Sequence, residues 1–194
     1  MNTDSGKIFA VVLAAGSASR FGSTKQLASV DETPLVRRVL DIATDCFGDN
    51  TVLVVGHDWK SVVDACFRSP GFVVVNEHYT KGLGSSIAAA VNTIMHTATG
   101  IVVVLADQPL ISTTHLDALR EAWSGDVDEI VATGFDDTIG PPVLFPENCF
   151  PELAALAGDA GGRHLLDDDR FVVKRIRFED ASVDIDTPDD LRRI

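Results

Sequence analysis

Residues 8 to 27 constrain the fold more than any other stretch, because an apolar run without polar alternation breaks there into a loop of small residues carrying two cations. Val11, Val12 and Leu13 have the pattern of a strand buried on both faces, as in a parallel sheet. The loop begins abruptly at Ala14, and Ala15, Gly16, Ser17 and Ala18 have almost no side-chain bulk. Backbone N–H groups can therefore approach a polyphosphate, while Arg20 and Lys25 supply positive charge. A nucleotide is expected at this junction, on Leu13, Ala14, Ala15, Gly16, Ser17, Arg20 and Lys25. Lone glycine motifs are weak, and turn glycines at Gly16 and Gly22 with solvated cations at Arg20 and Lys25 is the competing reading. The spacing is neither G-x-G-x-x-G nor a Walker loop, so a dinucleotide fold and a P-loop NTPase are both disfavoured.

Downstream, strand and helix patterns alternate with short connections. Thr33 before Pro34 reads as an N-cap for a helix with Leu35, Val36, Val39, Leu40 and Ala43 at helical spacing, ended by Gly48. Strands follow at 51–55 and 72–75, with a helix carrying Val62, Val63, Ala65 and Cys66 between them. Such βαβ repetition predicts right-handed crossovers, a parallel sheet covered on both sides and a ligand at the carboxyl ends of its strands. Residues 76–86 then form a second candidate loop, in which Gly82 and Gly84 allow close approach and Ser85 and Ser86 cap a helix running from Ile87 to about Thr97. An ordinary Gly-Ser capping loop is the bland alternative.

The most apolar strand, 101–106, delivers Asp107 at its carboxyl end, where a carboxylate is placed to hold a cation rather than merely to cap a turn. A helix from Thr113 or Thr114 to Trp123 and a strand over 129–133 follow. Beyond Gly134 the pattern is less regular. Gly140-Pro141-Pro142 leads into a short strand at 143–145, Pro146 begins a helix bearing Leu153, Leu156 and Ala157, and Gly158 to Arg163 is a Gly-rich turn with a cation. After a last strand at 171–176, Asp184 and Asp186 alternate with Val183 and Ile185 and so share a face of an extended segment. Thr187 reads as the N-cap of a final helix with Pro188 in its first turn and Asp189 and Asp190 complementing its dipole. No repeat or linker divides the 194 residues, which suit a single domain.

Composition narrows the partners. Sixteen Lys and Arg against 29 Asp and Glu give a formal charge of -13, which disfavours nucleic acid and anionic membrane surfaces as partners. An anionic substrate must then be held by local cations, oriented N–H groups or a bridging divalent metal. Three scattered cysteines, Cys46, Cys66 and Cys149, argue against disulfides and for a reducing cytoplasm. No apolar run reaches the length of a membrane span, no signal-peptide pattern is present, and the five histidines lack zinc-ligand spacing.

Leu13 to Lys25, Gly82 to Ser86, Leu105 to Pro109, Gly158 to Leu166 and Val183 to Leu191 together resemble the molybdenum cofactor cytidylyltransferases, within the glycosyltransferase-A-like nucleotidyltransferase superfamily. The likeness covers nearly the whole chain. It implies an α/β fold, a three-layer Rossmann-like sandwich with a mostly parallel central sheet, of the nucleotide-diphospho-sugar transferase type. It also implies that the first loop wraps the triphosphate and base, and that Lys25, Arg20 and Asp107 are catalytic. Gly82, Ser85 and Ser86 join the nucleotide contacts, and Asp107 and Asp186 bind Mg2+. The acceptor contacts are Gly140, Pro142, Asp159, Gly161 and Arg163. Relatives that transfer guanylate carry a second glycine where this chain has Ala15, so the resemblance leans toward CTP. Gly84 stands where a serine is common.

The implied reaction moves CMP from CTP to molybdopterin cofactor and releases pyrophosphate, with a molybdenum hydroxylase apoenzyme as a further partner. Alternatives are guanylyl transfer to the same cofactor, cytidylyl transfer in isoprenoid synthesis, or a noncatalytic nucleotide-binding insertion chaperone. The isoprenoid enzymes share Lys25-Gln26 but fit the Gly-Asp-x-Gly and Asp-Ile-Asp-Thr-Pro stretches poorly.

Overall fold

A computed structural model describes residues 7–16, 21–67 and 71–192; Ser17 to Arg20, four positions of the first loop, lie outside the described residues. Its strands are β1 (Ile8–Ala14), β2 (Thr51–Val55), β3 (Phe72–Val75), β4 (Gly100–Leu105), β5 (Glu129–Phe135), β6 (Thr138–Pro146) and β7 (Val172–Arg177). Helices are α1 (Leu35–Phe47), α2 (Trp59–Ala65), α3 (Leu83–Ile94), α4 (Thr113–Ala122) and the short α5 (Phe150–Ala154). The strands form one sheet in the order β3-β2-β1-β4-β6-β5-β7, parallel except for β6, which is antiparallel to both neighbours.

The apolar run of β1 explains the layering. Phe9, Val11 and Leu13 point to one face and pack with Ile87, Ala90, Val91 and Ile94 of α3 and Phe150 and Leu153 of α5. Ala10, Val12 and Ala14 point to the other, against Val36, Val39 and Leu40 of α1, Val62 of α2 and Leu116 and Leu119 of α4. A strand with helices on both faces has no solvent side, hence the missing polar alternation. This is the expected three-layer α/β sandwich, and no described helix is long and apolar enough to cross a membrane.

Several local expectations are corrected. Thr33 is not an N-cap: Thr33–Pro34 pairs antiparallel with Ser29–Val30, and the Leu35 N–H that opens α1 donates to the Ala28 carbonyl at 2.8 Å. A local ribbon thus satisfies the donor that a capping hydroxyl would have taken. The strand expected at 143–145 is a nine-residue β6, reached from β5 through a hairpin whose two-residue connection is Asp136-Asp137, with Asp136 at φ 45°. Gly140-Pro141-Pro142, expected to lead into that strand, lies within it, and the ladder absorbs it with a register shift between Ala132 and Thr133. α3 starts at Leu83, so Ser85 and Ser86 lie in its first turn rather than capping it. The helix expected from Pro146 is a 3-10 turn plus the five residues of α5, and Leu156 and Ala157 lie beyond it. Thr187 caps no helix. Asp190 Oδ2 instead accepts from the Asp186 and Thr187 N–H groups and the Thr187 hydroxyl at 2.8–3.1 Å, closing a turn.

Beneath β5, His115 of α4 is buried, stacks on Phe178 at a centroid distance of 4.2 Å and lies 2.8 Å from Thr133 Oγ1. The Thr133 hydroxyl donates to the Pro142 carbonyl at 2.6 Å, so His115 Nε2 must be the donor to Thr133, which fixes the tautomer. Burial pushes the His115 pKa down to about 4. As pH falls from the ordinary histidine value, the unfolded chain takes up a proton that the folded chain refuses. Stability contributed here is therefore complete above about pH 6.5 and lost progressively toward pH 4, by about 3 kcal/mol in all. Urea unfolding at pH 7 and pH 5 should show a loss of about 2 kcal/mol from this group that is absent in His115→Gln.

Candidate active site

Three distant segments converge at the carboxyl ends of β1 and β4, where the strand order reverses direction and α/β sheets open a crevice. β1 delivers Ala15 and Gly16, β4 delivers Asp107, and a 3-10 turn over Lys25–Leu27 brings Lys25 back across the opening. The third segment is docked by backbone: the Ile185 N–H donates to the Asp107 carbonyl at 3.0 Å, and Gln108 Nε2 donates to the Ala181 carbonyl at 2.9 Å. Ile185 is fully buried, so its neighbours Asp184 and Asp186 stay at the mouth.

Lys25 Nζ donates to Asp107 Oδ2 at 2.7 Å and to Asp186 Oδ1 at 3.1 Å. The lysine side chain is 13% exposed and that of Asp186 60%, so the arrangement runs from a half-buried cation to a solvated acid. Partial burial alone would lower the Lys25 pKa, but the two carboxylates outweigh it and the net shift is upward. Asp107 Oδ1 is buried with no hydrogen-bond partner. Although Asp184 keeps solvent contact as a residue, its carboxyl is crowded: partial burial, then the charges of Asp107 and Asp186, push its pKa up to about 6.

The cleft beside these groups has a volume of about 440 Å3. Of the residues singled out from the sequence, it brings together Leu13, Ala15, Gly16, Lys25, Gly82, Ser86, Asp107 and Asp159. Ala14 packs into the opposite core layer. The Ser85 hydroxyl turns back to the Gly82 and His78 carbonyls at 2.8 and 3.0 Å. Ser17 and Arg20 lie outside the described residues. Gly140 and Pro142 belong to β6 and are buried, Arg163 reaches Thr138 Oγ1 at 3.4 Å, and Gly161 sits against Leu83; none of these four lines the cleft.

Gln26, Tyr79 and Thr80 also line the cleft. Gln26 is buried and its Nε2 donates to the Gly16 carbonyl at 2.8 Å, fixing the described end of the first loop. A polar residue beside Lys25 was the available signal, but only the tertiary contact gives it a role. Tyr79 sits over Gly56, where a Cβ would come within 2.5 Å of its side chain.

The second loop differs from expectation in the use of its glycines. A Cβ on Gly82, which has φ 96°, would come 2.5 Å from the Gly158 carbonyl and from Asp159 Oδ1. One on Gly84 would come 2.8 Å from the Ala160 carbonyl, and the Gly84 N–H donates to the Gly158 carbonyl at 2.9 Å. The close approach is therefore that of the 157–160 segment, which seals the start of α3 and brings Asp159 to the cleft.

A model of the MobA-like NTP transferase domain matches residues 10–174. The chain belongs to that family. As a member of the MobA-like family it is a nucleotidyltransferase. It is 29% identical to the purine catabolism protein PucB of Bacillus subtilis over 94% of this chain and 93% of that one. It is 28% identical to nicotine blue oxidoreductase of Paenarthrobacter nicotinovorans over 100% and 98%. The crystal structure of Rv0371c from Mycobacterium tuberculosis superposes with a TM-score of 0.83 at 31% identity, covering 97% of each chain. A manganese complex of Rv0371c superposes with a TM-score of 0.77 at 29% identity over 96% of this chain and 97% of that one.

Gly82→Ala should destabilise the fold by about 2–4 kcal/mol, the sum of positive-φ strain and overpacking against the Gly158 carbonyl. Thermal unfolding checks it: an unchanged midpoint would mean that the 157–160 segment does not bear on this glycine.

Proposed function

We propose that this MobA-like transferase moves CMP from CTP to the molybdopterin cofactor and releases pyrophosphate. The observation that carries the reading is Lys25 held between Asp107 and Asp186 at the opening of a cleft floored by Ala15 and Gly16. The acceptor phosphate attacks the α-phosphorus of CTP in line. Its P–O bond forms as the bond from the α-phosphorus to the bridging oxygen breaks, and pyrophosphate leaves with the electron pair. Phosphoryl chemistry of this kind asks mainly for positioning and charge stabilisation. Lys25 and Arg20 supply charge, and the backbone of Ala15 and Gly16, steadied by Gln26, supplies shape.

Asp107 and Asp186 fit a hard divalent cation. Both offer oxygen, one Asp107 oxygen is buried without a partner, and no third carboxylate or imidazole completes an all-protein cage among the described residues. One or two carboxylates with the remaining positions left to phosphate and water suit Mg2+. Bound there, Mg2+ would neutralise charge that develops on the phosphates. The manganese complex of Rv0371c is consistent with a divalent metal on this fold.

The preference for CTP rests on Ala15, which lines the cleft at a position where the resemblance gives guanylyl-transferring relatives a glycine. The acceptor rests on the Gly158 to Gly161 and Val183 to Leu191 stretches, and Asp159 is the acceptor-side residue that reaches the cleft.

Pyrophosphate release with CTP, GTP or ATP, each with and without molybdenum cofactor, tests the reading: CTP plus cofactor should be fastest, and a faster rate with GTP would overturn the base assignment. In the same assay Lys25→Ala should lose about 10²-fold in rate, as for removal of one preorganised charge donor.

A further inference from the structure

Lys25 and a divalent cation compete for the same two carboxylates. Its Nζ already lies 2.7 Å from Asp107 Oδ2 and 3.1 Å from Asp186 Oδ1, the two carboxylates assigned above to the metal. A Mg2+ ion sits about 2.0–2.1 Å from its oxygen ligands, so an ion on both carboxylates would be forced against the ammonium group. Two positive charges at that separation, in a half-buried site, repel strongly.

We propose that Lys25 holds the cation position while the cleft is free of nucleotide, and that the triphosphate draws it away. Lys25 thereby makes metal loading depend on nucleotide. The ammonium group neutralises the two acids, which would otherwise face each other and the nearby Asp184 without compensation in a chain of net charge -13. The partnerless, buried Asp107 Oδ1 is the second observation: Lys25 satisfies only one oxygen of this carboxylate, and the other remains in want of a ligand. Phosphate oxygens offer Nζ an alternative anionic partner on a flexible four-carbon stem, so a short movement of one side chain frees both carboxylates. By linkage, a ligand that removes Lys25 from the acids must raise metal affinity, and the metal must raise that ligand's affinity equally.

This rests on the assignment of the metal to Asp107 and Asp186 and is independent of base and acceptor, so inorganic triphosphate serves as the nucleotide-free probe. Mn2+ binding to the whole protein is measured by electron paramagnetic resonance and calorimetry, with circular dichroism to verify folding. Without triphosphate, Lys25→Gln should bind Mn2+ at least about 10-fold more tightly than the unmodified protein, a competing positive charge having been removed from the site. Asp107→Asn added to Lys25→Gln should abolish that gain. After subtracting binding of Mn2+ to free triphosphate, triphosphate should tighten Mn2+ binding to the unmodified protein by a larger factor than to Lys25→Gln. If Lys25→Gln binds Mn2+ no more tightly, while Asp107→Asn weakens what binding there is, the metal site stands and the exchange is overturned. If Asp107→Asn changes nothing in either background, the metal assignment falls and the exchange with it.

Discussion

The hydrogen bond from the Ile185 N–H to the Asp107 carbonyl is the contact on which the site depends. It joins the end of the central strand to a segment 78 positions further on, and it works because Ile185 is fully buried while the residues on either side are not. Alternation along an extended segment then presents Asp184 and Asp186 together at the mouth. Crowding acids in this way is unfavourable by itself, and it adds to partial burial in pushing the Asp184 pKa up. Lys25 compensates. One cation therefore serves both the resting electrostatics of the fold and the chemistry expected of it.

The walls of the cleft follow from backbone contacts more than from side chains. The Ala15 carbonyl accepts from the His57 N–H at 3.4 Å, and the Gly16 carbonyl from Gln26 at 2.8 Å, so two different segments hold the described part of the first loop. Gly82 and Gly84 also let the 157–160 segment touch the start of α3, which places Asp159 at the cleft. A glycine needed for contact between two chain segments and a glycine needed for contact with a ligand look alike in a sequence. Here the first need is visible at both positions.

Farther back, hydrogen bonds couple β6 and β5 to the core and to the strand end that carries Asp107. The Pro142 carbonyl accepts from Thr133, which is held by His115, so the Gly140 to Pro142 stretch is anchored from beneath rather than free to shape a loop. Gln108 Nε2 also donates to the Pro141 carbonyl at 3.3 Å and thus ties the same stretch to the strand that carries Asp107. The Gln108 bond thus ties the hairpin to the strand end that carries Asp107.

What the sequence determined by itself was the layer architecture and the address of the cleft. The unbroken apolar runs of β1 and β4 demand cover on both faces, and strand-helix alternation demands a parallel sheet whose carboxyl ends gather ligands. That Lys25 and Asp107 belong at the cleft was legible because one is a cation in a small-residue loop and the other an acid at a buried strand end. The short turns were decided by the tertiary structure, since the donors that Thr33 and Thr187 were expected to govern found other partners: the Ala28 carbonyl for one, Asp190 for the other. Gln26, Tyr79 and the true neighbours of Gly82 were likewise set by packing across the chain. Local pattern fixes which way a strand faces, but a hydrogen bond or a close approach outside a helix or strand ladder, short-range as from Thr187 to Asp190 or long-range as from Gly82 to Gly158, leaves no period in the sequence to read.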